Sequence, residues 1–102
     1  MSAFHPDLHQ MSLDRVLSAL GHPIRLAIVR TLAEQGETYC GAVETSAPPS
    51  TMTGHWRVLR ESGVVRQRVD GRRHYMALRQ ADIDALWPGL LDTVLRDETA
   101  PR

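Results

Sequence analysis

The stretch Ser50–Leu78, STMTGHWRVLRESGVVRQRVDGRRHYMAL, decides the fold predicted for this chain. Three apolar residues of its first part recur at the spacing of one helical face: Met52, Trp56 and Leu59. Gly63 is suited to end that helix. Two strand-like runs then flank Asp70-Gly71, a dipeptide that tolerates positive φ and favours a β-hairpin. The stretch therefore predicts a helix followed by a tight hairpin.

The opposite face of the predicted helix is small, polar or basic. A helix with such a face beside a basic β-ribbon suits a DNA groove and its flanking phosphates. We expect base contacts from the helix, with Arg57 as the candidate for guanine recognition, and phosphate contacts from the hairpin. The predicted DNA-binding residues are Ser50, Thr51, Thr53, Gly54, Arg57, Arg66, Arg68, Arg72 and Arg73.

The distribution of charge supports this expectation, although the 102-residue chain has a net charge of zero. The segment 54–79 contains seven arginines against Glu61 and Asp70, so it carries +5 and the remainder carries −5. Such an asymmetry suits one surface for a polyanion and another surface for a different task. Double-stranded DNA is therefore the expected partner.

Length and composition place the chain among small globular proteins with a single domain. No run of 18 apolar residues is present, so no membrane span is expected. The N-terminus lacks the basic and apolar regions of a secretory signal, and one cysteine cannot form an internal disulfide. We therefore expect a cytoplasmic protein with a flexible arm at 1–10, a domain at 11–96 and a tail at 97–102.

The rest of the domain is predicted to be helical. Apolar residues recur at helical spacing in Leu13–Leu20, with Ser12 as the N-cap. A second helix has Pro23 in its first turn and Gly36 as the residue that follows its end. A short third helix is expected within 38–46, with Tyr39, Ala42 and Val43 on its buried face. These elements precede the helix and hairpin described above.

The last apolar stripe, 83–95, predicts a helix with a kink or break at Pro88-Gly89. Together with the 13–20 helix, it offers more apolar surface than a small domain can cover, so we expect a homodimer. The expected interface residues are Leu13, Val16, Leu17, Leu20, Leu86, Trp87, Leu90, Leu91 and Val94.

Three segments resemble the ArsR/SmtB family of bacterial winged helix-turn-helix transcriptional repressors: LGHPIRLAIVRTL (20–32), TGHWRVLRESGVV (53–65) and RVDGRRHYMAL (68–78). The resemblance implies a mostly α winged helix-turn-helix fold, α-α-α-α-β-β-α, and a homodimer on a palindromic operator. Trp56 stands where the family has leucine, which suggests a locally enlarged core. Gly54 stands where many members have a larger polar residue.

The sensor region departs from the family pattern. Many members carry paired cysteines before the recognition helix, whereas this chain has Cys40 alone, and one thiolate is not a soft-metal site. The last helix has no histidine. We therefore expect no metal and no cofactor, and the effector is unknown. Cys40 is a candidate for redox sensing, with a buried structural thiol as the alternative.

Several other interpretations stay open. Cys40 with His5 and His9 could form an atypical metal site in a metal-responsive repressor, and an organic ligand could bind near Trp87. His55 could contact DNA or pack at the edge of the core. Arg25 and Arg30 could bind phosphates, but ion pairs with nearby acidic residues are the expected role.

Nothing in the sequence matches a catalytic motif, so we expect a non-enzyme. The alternative functions are a winged-helix module that binds proteins without DNA, and RNA binding, for which exposed aromatic residues are scarce.

Overall fold

Five α-helices and one three-stranded antiparallel sheet make up the computed structural model, which describes residues 5–96. The helices are α1 (Leu13–Leu20), α2 (Pro23–Gln35), α3 (Pro49–Glu61), α4 (Gln80–Leu86) and α5 (Leu90–Arg96). The strands are β1 (Thr38–Tyr39), β2 (Val65–Asp70) and β3 (Arg73–Leu78), in the spatial order β1-β3-β2. The winged helix-turn-helix fold, mostly α with a β-hairpin wing, is confirmed.

One predicted element is replaced. The short helix expected within 38–46 is not formed, and its place is taken by β1 and a 3-10 turn at Cys40–Ala42. Thr38 pairs with Met76 and Tyr39 pairs with Tyr75, so β3 satisfies the backbone of β1. A helix this short is marginal by itself, and strand pairing supplies the hydrogen bonds that it lacks. The prediction failed because this partner strand lies almost forty residues away.

Helix α2 begins and ends where the sequence predicts. The His22 Nδ1 atom accepts a hydrogen bond from the Ile24 N–H at 3.1 Å, and Pro23 occupies the first turn. Gly36, with φ of 78°, ends the helix. These residues complete the signals expected at the two ends of a helix.

The hairpin turn lies one residue later than predicted. Asp70 pairs with Arg73, so the two-residue loop consists of Gly71 and Arg72. Gly71 has φ of 63°, and no non-glycine residue among residues 5–96 has positive φ. Positive φ at the first loop residue alone is the pattern of a type II′ turn, which places glycine there.

The core fills the space between the helices and the inner face of the sheet. Its fully buried members include Val16, Ile28, Val29, Leu59, Val64, Val65, Met76, Ile83 and Leu91. Three residues expected in a dimer interface, Val16, Leu20 and Leu91, therefore pack inside the monomer, because their sides of α1 and α5 face the core. Leu13, Leu17 and Leu86 stay exposed, and Trp87, Leu90 and Val94 are half-buried.

The predicted break in the last helix is confirmed. α4 ends at Leu86, and the Leu90 N–H donates to the Trp87 carbonyl across the turn. Gly89 adopts φ of 86°, a conformation that favours glycine. Pro88 cannot donate a helical hydrogen bond, so the helix is interrupted there and α5 begins at Leu90.

The described part of the predicted arm contacts the wing. The Gln67 N–H donates to His5 Nε2 at 2.9 Å, and Arg79 Nη1 donates to the carbonyl of the buried Pro6 at 2.7 Å. The predicted tail at 97–102 lies outside the described residues. Within 5–96, no single helix is long and apolar enough to cross a membrane. Helices α1 and α2 reach that length and composition only when taken together, and the pair is bent by 98°.

Candidate nucleic-acid interface

The outer face of α3 matches the surface predicted from the sequence. The side chains of Ser50, Thr51, Thr53 and Arg57 are exposed, together with the backbone of Gly54. A Cβ added at Gly54 would meet no atom within 4 Å, so no contact within the chain requires a glycine there. The helix therefore presents small polar groups and bare backbone to solvent over two turns.

Arg57 is the charged group of this face. It is exposed, and it makes no ion pair or aromatic contact with another residue of the described range 5–96. Its guanidinium is therefore not neutralised within that part of the chain. A planar donor fork of this kind can bind a guanine edge or a phosphate through two hydrogen bonds.

Trp56, on the inner side of α3, packs against the core from its edge. It is half-buried and borders a cavity of about 510 Å³ beside the 3-10 turn, whereas Leu59 is fully buried. The turn carries Cys40, which is half-buried and lines the same cavity. From the sequence, an organic ligand was considered near Trp87 instead. The cavity at Trp56 was not predicted, because the segment that forms its other wall was expected to be a helix.

His55 faces away from the proposed DNA surface. It is 9% exposed, its ring centroid lies 4.6 Å from that of His22, and its Nδ1 lies 3.2 Å from Arg25 Nη1. Burial lowers the pKa of His55 below its ordinary value, and the charges of His22 and Arg25 lower it further. Of the two roles considered for His55, the structure therefore favours packing at the edge of the core.

Arg25 joins three helices and does not form the expected ion pair with an acid. Its Nε donates to the Ala19 carbonyl at 2.7 Å, and its Nη2 donates to the Ser18 carbonyl at 3.2 Å. The last carbonyls of a helix lack intrahelical donors, and a cation at that end is favourable. Arg25 thus caps α1 from α2 and contacts His55 on α3.

Two wing arginines are already paired. Arg68 donates from Nη2 and Nε to both Glu37 oxygens, at 2.8 and 3.1 Å, and its guanidinium lies 4.7 Å from the Tyr75 ring centroid. The hydrogen bond and the charge of Arg68 lower the pKa of the Glu37 carboxyl. Arg66 Nη2 lies 3.6 Å from Asp82 Oδ2. These carboxylates reduce the positive charge that the hairpin offers to a phosphate.

The hairpin tip differs from its base. Arg73 lies 4.7 Å from the Tyr39 ring centroid, on the face shared with Arg68 and Tyr75. Arg72, in the exposed turn, forms no ion pair or ring contact with the residues that the structure describes. Of the four predicted phosphate contacts, Arg72 is thus the one with a full, unengaged charge at the tip.

The alternative of an atypical metal site has no support in the described part of the chain. Among residues 5–96, no group of three or more histidine, cysteine, aspartate or glutamate side chains could hold a metal ion. His5 instead accepts a backbone hydrogen bond, His9 lies 4.0 Å from Asp7, and Cys40 borders the cavity at Trp56.

Comparison with known proteins gives a consistent result. Residues 20–68 match the family model described as a helix-turn-helix domain. The chain is 36% identical over 83 residues to the uncharacterized HTH-type transcriptional regulator YceK of Bacillus subtilis (strain 168), an alignment that covers 78% of this chain and 83% of that protein.

Two solved structures share both fold and sequence with the chain. The transcriptional repressor BigR from Xylella fastidiosa is 30% identical with a TM-score of 0.67, over 87% of this chain and 88% of the other. A possible transcriptional regulator for arsenical resistance is 32% identical with a TM-score of 0.62, over 87% of this chain and all of the other. The matched region contains α3 and the wing.

Proposed function

Because the chain belongs to the ArsR/SmtB family of winged helix-turn-helix transcriptional regulators, which bind DNA in a sequence-specific manner, we propose that it is a repressor. It binds a palindromic operator as a homodimer and places one α3 in each of two major grooves. The observation that carries this proposal is the exposed polar face of α3, whose arginine, Arg57, has no neutralising partner among the described residues.

The residues of this face and of the hairpin have different roles in DNA recognition. Arg57 reads a base edge, while Ser50, Thr51 and Thr53 hydrogen-bond to bases or phosphates around it. Gly54 lets the DNA backbone approach the helix closely, because no side chain stands between them. Arg72 holds a phosphate from the hairpin tip, and Arg73 assists if it leaves the Tyr39 ring.

Arg66 and Arg68 have a smaller role in this proposal than the sequence suggested. Both would have to leave a carboxylate, Asp82 and Glu37 respectively, before they could bind a phosphate. An arginine that binds a DNA phosphate raises the affinity because counterions are released from the DNA. An arginine that a carboxylate already neutralises therefore contributes less to the affinity.

The dimer interface uses the apolar residues that the monomer leaves uncovered. Leu13 and Leu17 on α1 are 41% and 46% exposed, and Leu86 at the end of α4 is 36% exposed. Trp87, Leu90 and Val94 extend this surface as half-buried residues. Burying such a surface against a second copy is favourable, and the two-fold axis presents two copies of α3 to one duplex.

Arsenical or other soft-metal sensing is not part of the proposal, although one similar structure is a possible regulator for arsenical resistance. Such ions need about three or four ligands, and Cys40 is the one thiol of the chain. Oxidation of Cys40 stays a candidate signal because the thiol borders a cavity and is half-buried.

Selection of bound duplexes from a random DNA pool tests the proposal. We expect a two-fold symmetric consensus with half-sites about one helical turn apart, and an affinity for it that falls steeply with salt. The same duplex with one half-site scrambled is the control. Recovery of no consensus, or equal affinity for the scrambled duplex, would contradict a dimeric sequence-specific repressor.

A further inference from the structure

Two cavities meet at the inner side of α3. The first, of about 510 Å³, lies between α3 and the segment 40–47, and its apolar lining includes Val43, Ala47, Met52 and Trp56. Its size is that of a small-molecule site, and such sites are mostly apolar. This cavity lies directly behind the helix that we propose to read DNA.

The second cavity, of about 330 Å³, lies between α3 and the inner face of the sheet. It is lined by Arg60, Gln67, His74 and Met76. Three residues line both cavities: Cys40, Thr53 and Trp56. The two spaces therefore adjoin around the Trp56 indole, with an apolar side and a polar, cationic side.

Arg60 is the feature that indicates a ligand. Its side chain is 17% exposed, and its Nε is buried with no hydrogen-bond partner among residues 5–96. The one ion pair that it forms within the described residues is long, 3.9 Å from Nη2 to the half-exposed Glu61. A buried cationic donor without an acceptor costs free energy, so an anionic acceptor placed in this cavity would bind favourably.

We propose that the two cavities form one binding site for an organic carboxylate that carries an aromatic ring or a short apolar chain. The carboxylate accepts hydrogen bonds from Arg60, since the guanidinium fork matches a carboxylate in geometry and charge. The apolar part lies against Trp56, Met52 and Val43. A fully hydrophilic anion such as inorganic phosphate would leave the apolar cavity unfilled.

The ligand would also act on DNA binding, and this part rests on the proposed function. Thr53 lines both cavities and belongs to the proposed DNA surface, so the two sites share a residue. A bound carboxylate adds negative charge behind α3, which opposes the approach of the DNA phosphates to this helix. We therefore expect ligand binding to weaken operator binding, which would make the carboxylate an inducer.

Fluorescence titration of the full chain tests the site directly. Trp87→Phe leaves Trp56 as the single tryptophan. The probes are phenylacetate, phenylpropionate and phenylbutyrate, with phenylbutanol as the neutral counterpart. We expect saturable change of the Trp56 emission by at least one carboxylate. The absence of saturation by all three carboxylates below about 10 mM would overturn the proposal.

Matched variants in the same background test the role of Arg60. Arg60→Gln should weaken carboxylate binding about tenfold or more and leave phenylbutanol binding unchanged. Arg60→Met keeps an unbranched side chain close in length to the aliphatic stem of arginine, removes the guanidinium with its buried Nε donor, and serves if the glutamine variant is unstable. Arg57→Gln, on the exposed face, should bind all probes as before. Equal losses for the acid and the alcohol in both Arg60 variants would overturn the assignment of Arg60.

Filling the cavity gives an independent check. Ala47→Phe should abolish binding of acid and alcohol alike, whereas Ala81→Phe on the exposed side of α4 should not. Retained binding in Ala47→Phe would place the probe elsewhere. If a probe binds and no selected duplex does, the ligand site stands and the repressor proposal fails. If a duplex binds and no probe does, the ligand proposal fails alone.

Discussion

Single residues of the interface differ in how much of their charge is free. Arg57 and Arg72 are exposed and unpaired within the described residues, whereas Arg68 is held by both oxygens of Glu37. All three are arginines in a basic segment, so the sequence alone gives no reason to expect different roles for them. Mutagenesis should separate them, because an engaged guanidinium must break one interaction before it makes another.

Arg57→Ala should lower affinity for the selected operator by about 1–3 kcal/mol and relax the base preference at one position of each half-site. The physical reason is the loss of a charged donor fork from the major groove. Duplex selection with the variant measures the preference, and a binding titration measures the affinity. An unchanged consensus and affinity would show that Arg57 does not read a base.

Arg72→Ala should weaken binding to all duplexes and reduce the salt slope by about one unit, because one phosphate contact is lost. Arg68→Ala is the matched control, and it should reduce the slope less, since Glu37 neutralises this side chain. Titrations over a range of salt concentrations compare the two variants. A larger loss in Arg68→Ala would mean that the ion pair with Glu37 opens on DNA.

Among the secondary-structure elements, α3 contains Gly54, a glycine that the packing of the helix does not require. A helix is less stable with glycine than with alanine at an interior position, and no atom lies within 4 Å of a Cβ added at Gly54. Gly54→Ala should raise the free energy of unfolding by about 0.5–1 kcal/mol. It should also weaken operator binding if the DNA backbone approaches Gly54.

Urea denaturation and operator titration measure the two effects of Gly54→Ala. Gly71→Ala is the contrasting variant, because φ at Gly71 is 63° and a side chain there is strained. It should lower the free energy of unfolding. A destabilised Gly54→Ala protein, or one with unchanged operator affinity, would remove the argument for close approach.

The junction of α1, α2 and α3 should make stability depend on pH through His55. Its pKa in the folded state is lowered from the ordinary 6.5, so below that pH the unfolded chain binds a proton that the folded chain does not. The free energy of unfolding should therefore be fully present above about pH 6.5 and fall as the pH drops toward the lowered pKa of the folded state.

Urea denaturation at several pH values tests the role of His55. His55→Gln should reduce this pH dependence relative to the wild type. An identical pH dependence in the wild type and His55→Gln would show that another group is responsible.

For the whole molecule, the proposed dimer rests on apolar surface that one chain leaves open. Leu17→Glu should shift the protein toward the monomer, because a carboxylate buried between two copies is costly. Light scattering should report twice the 11.4 kDa chain mass for the wild type at micromolar concentration and a single chain mass for the variant.

Val69→Glu is the control for the dimer, since Val69 is 58% exposed on the wing and lies outside the proposed interface. It should leave the dimer intact. Operator binding by Leu17→Glu should lose its dependence on the second half-site. A monomeric wild type, or a dimeric Leu17→Glu protein, would contradict the interface on α1.

The sequence by itself determined the features that depend on neighbours along the chain. These features are the helical spacing of Met52, Trp56 and Leu59, the helical spacing in Leu13–Leu20, the glycine at position 71 and the break at Pro88-Gly89. Each depends on residues only a few positions apart. Local periodicity and backbone restriction are sufficient to predict such elements and the polar face of α3, and the resemblance of three segments to the ArsR/SmtB family implied the fold class.

Only the tertiary structure decided which of these residues are available for function. Glu37 neutralises Arg68 from 31 positions away, and β3 converts the predicted helix at 38–46 into a strand and a turn. Packing buries Val16, Leu20 and Leu91 and leaves Trp56 beside a cavity. Pairing, burial and cavities depend on contacts between residues distant in sequence, which no local pattern records.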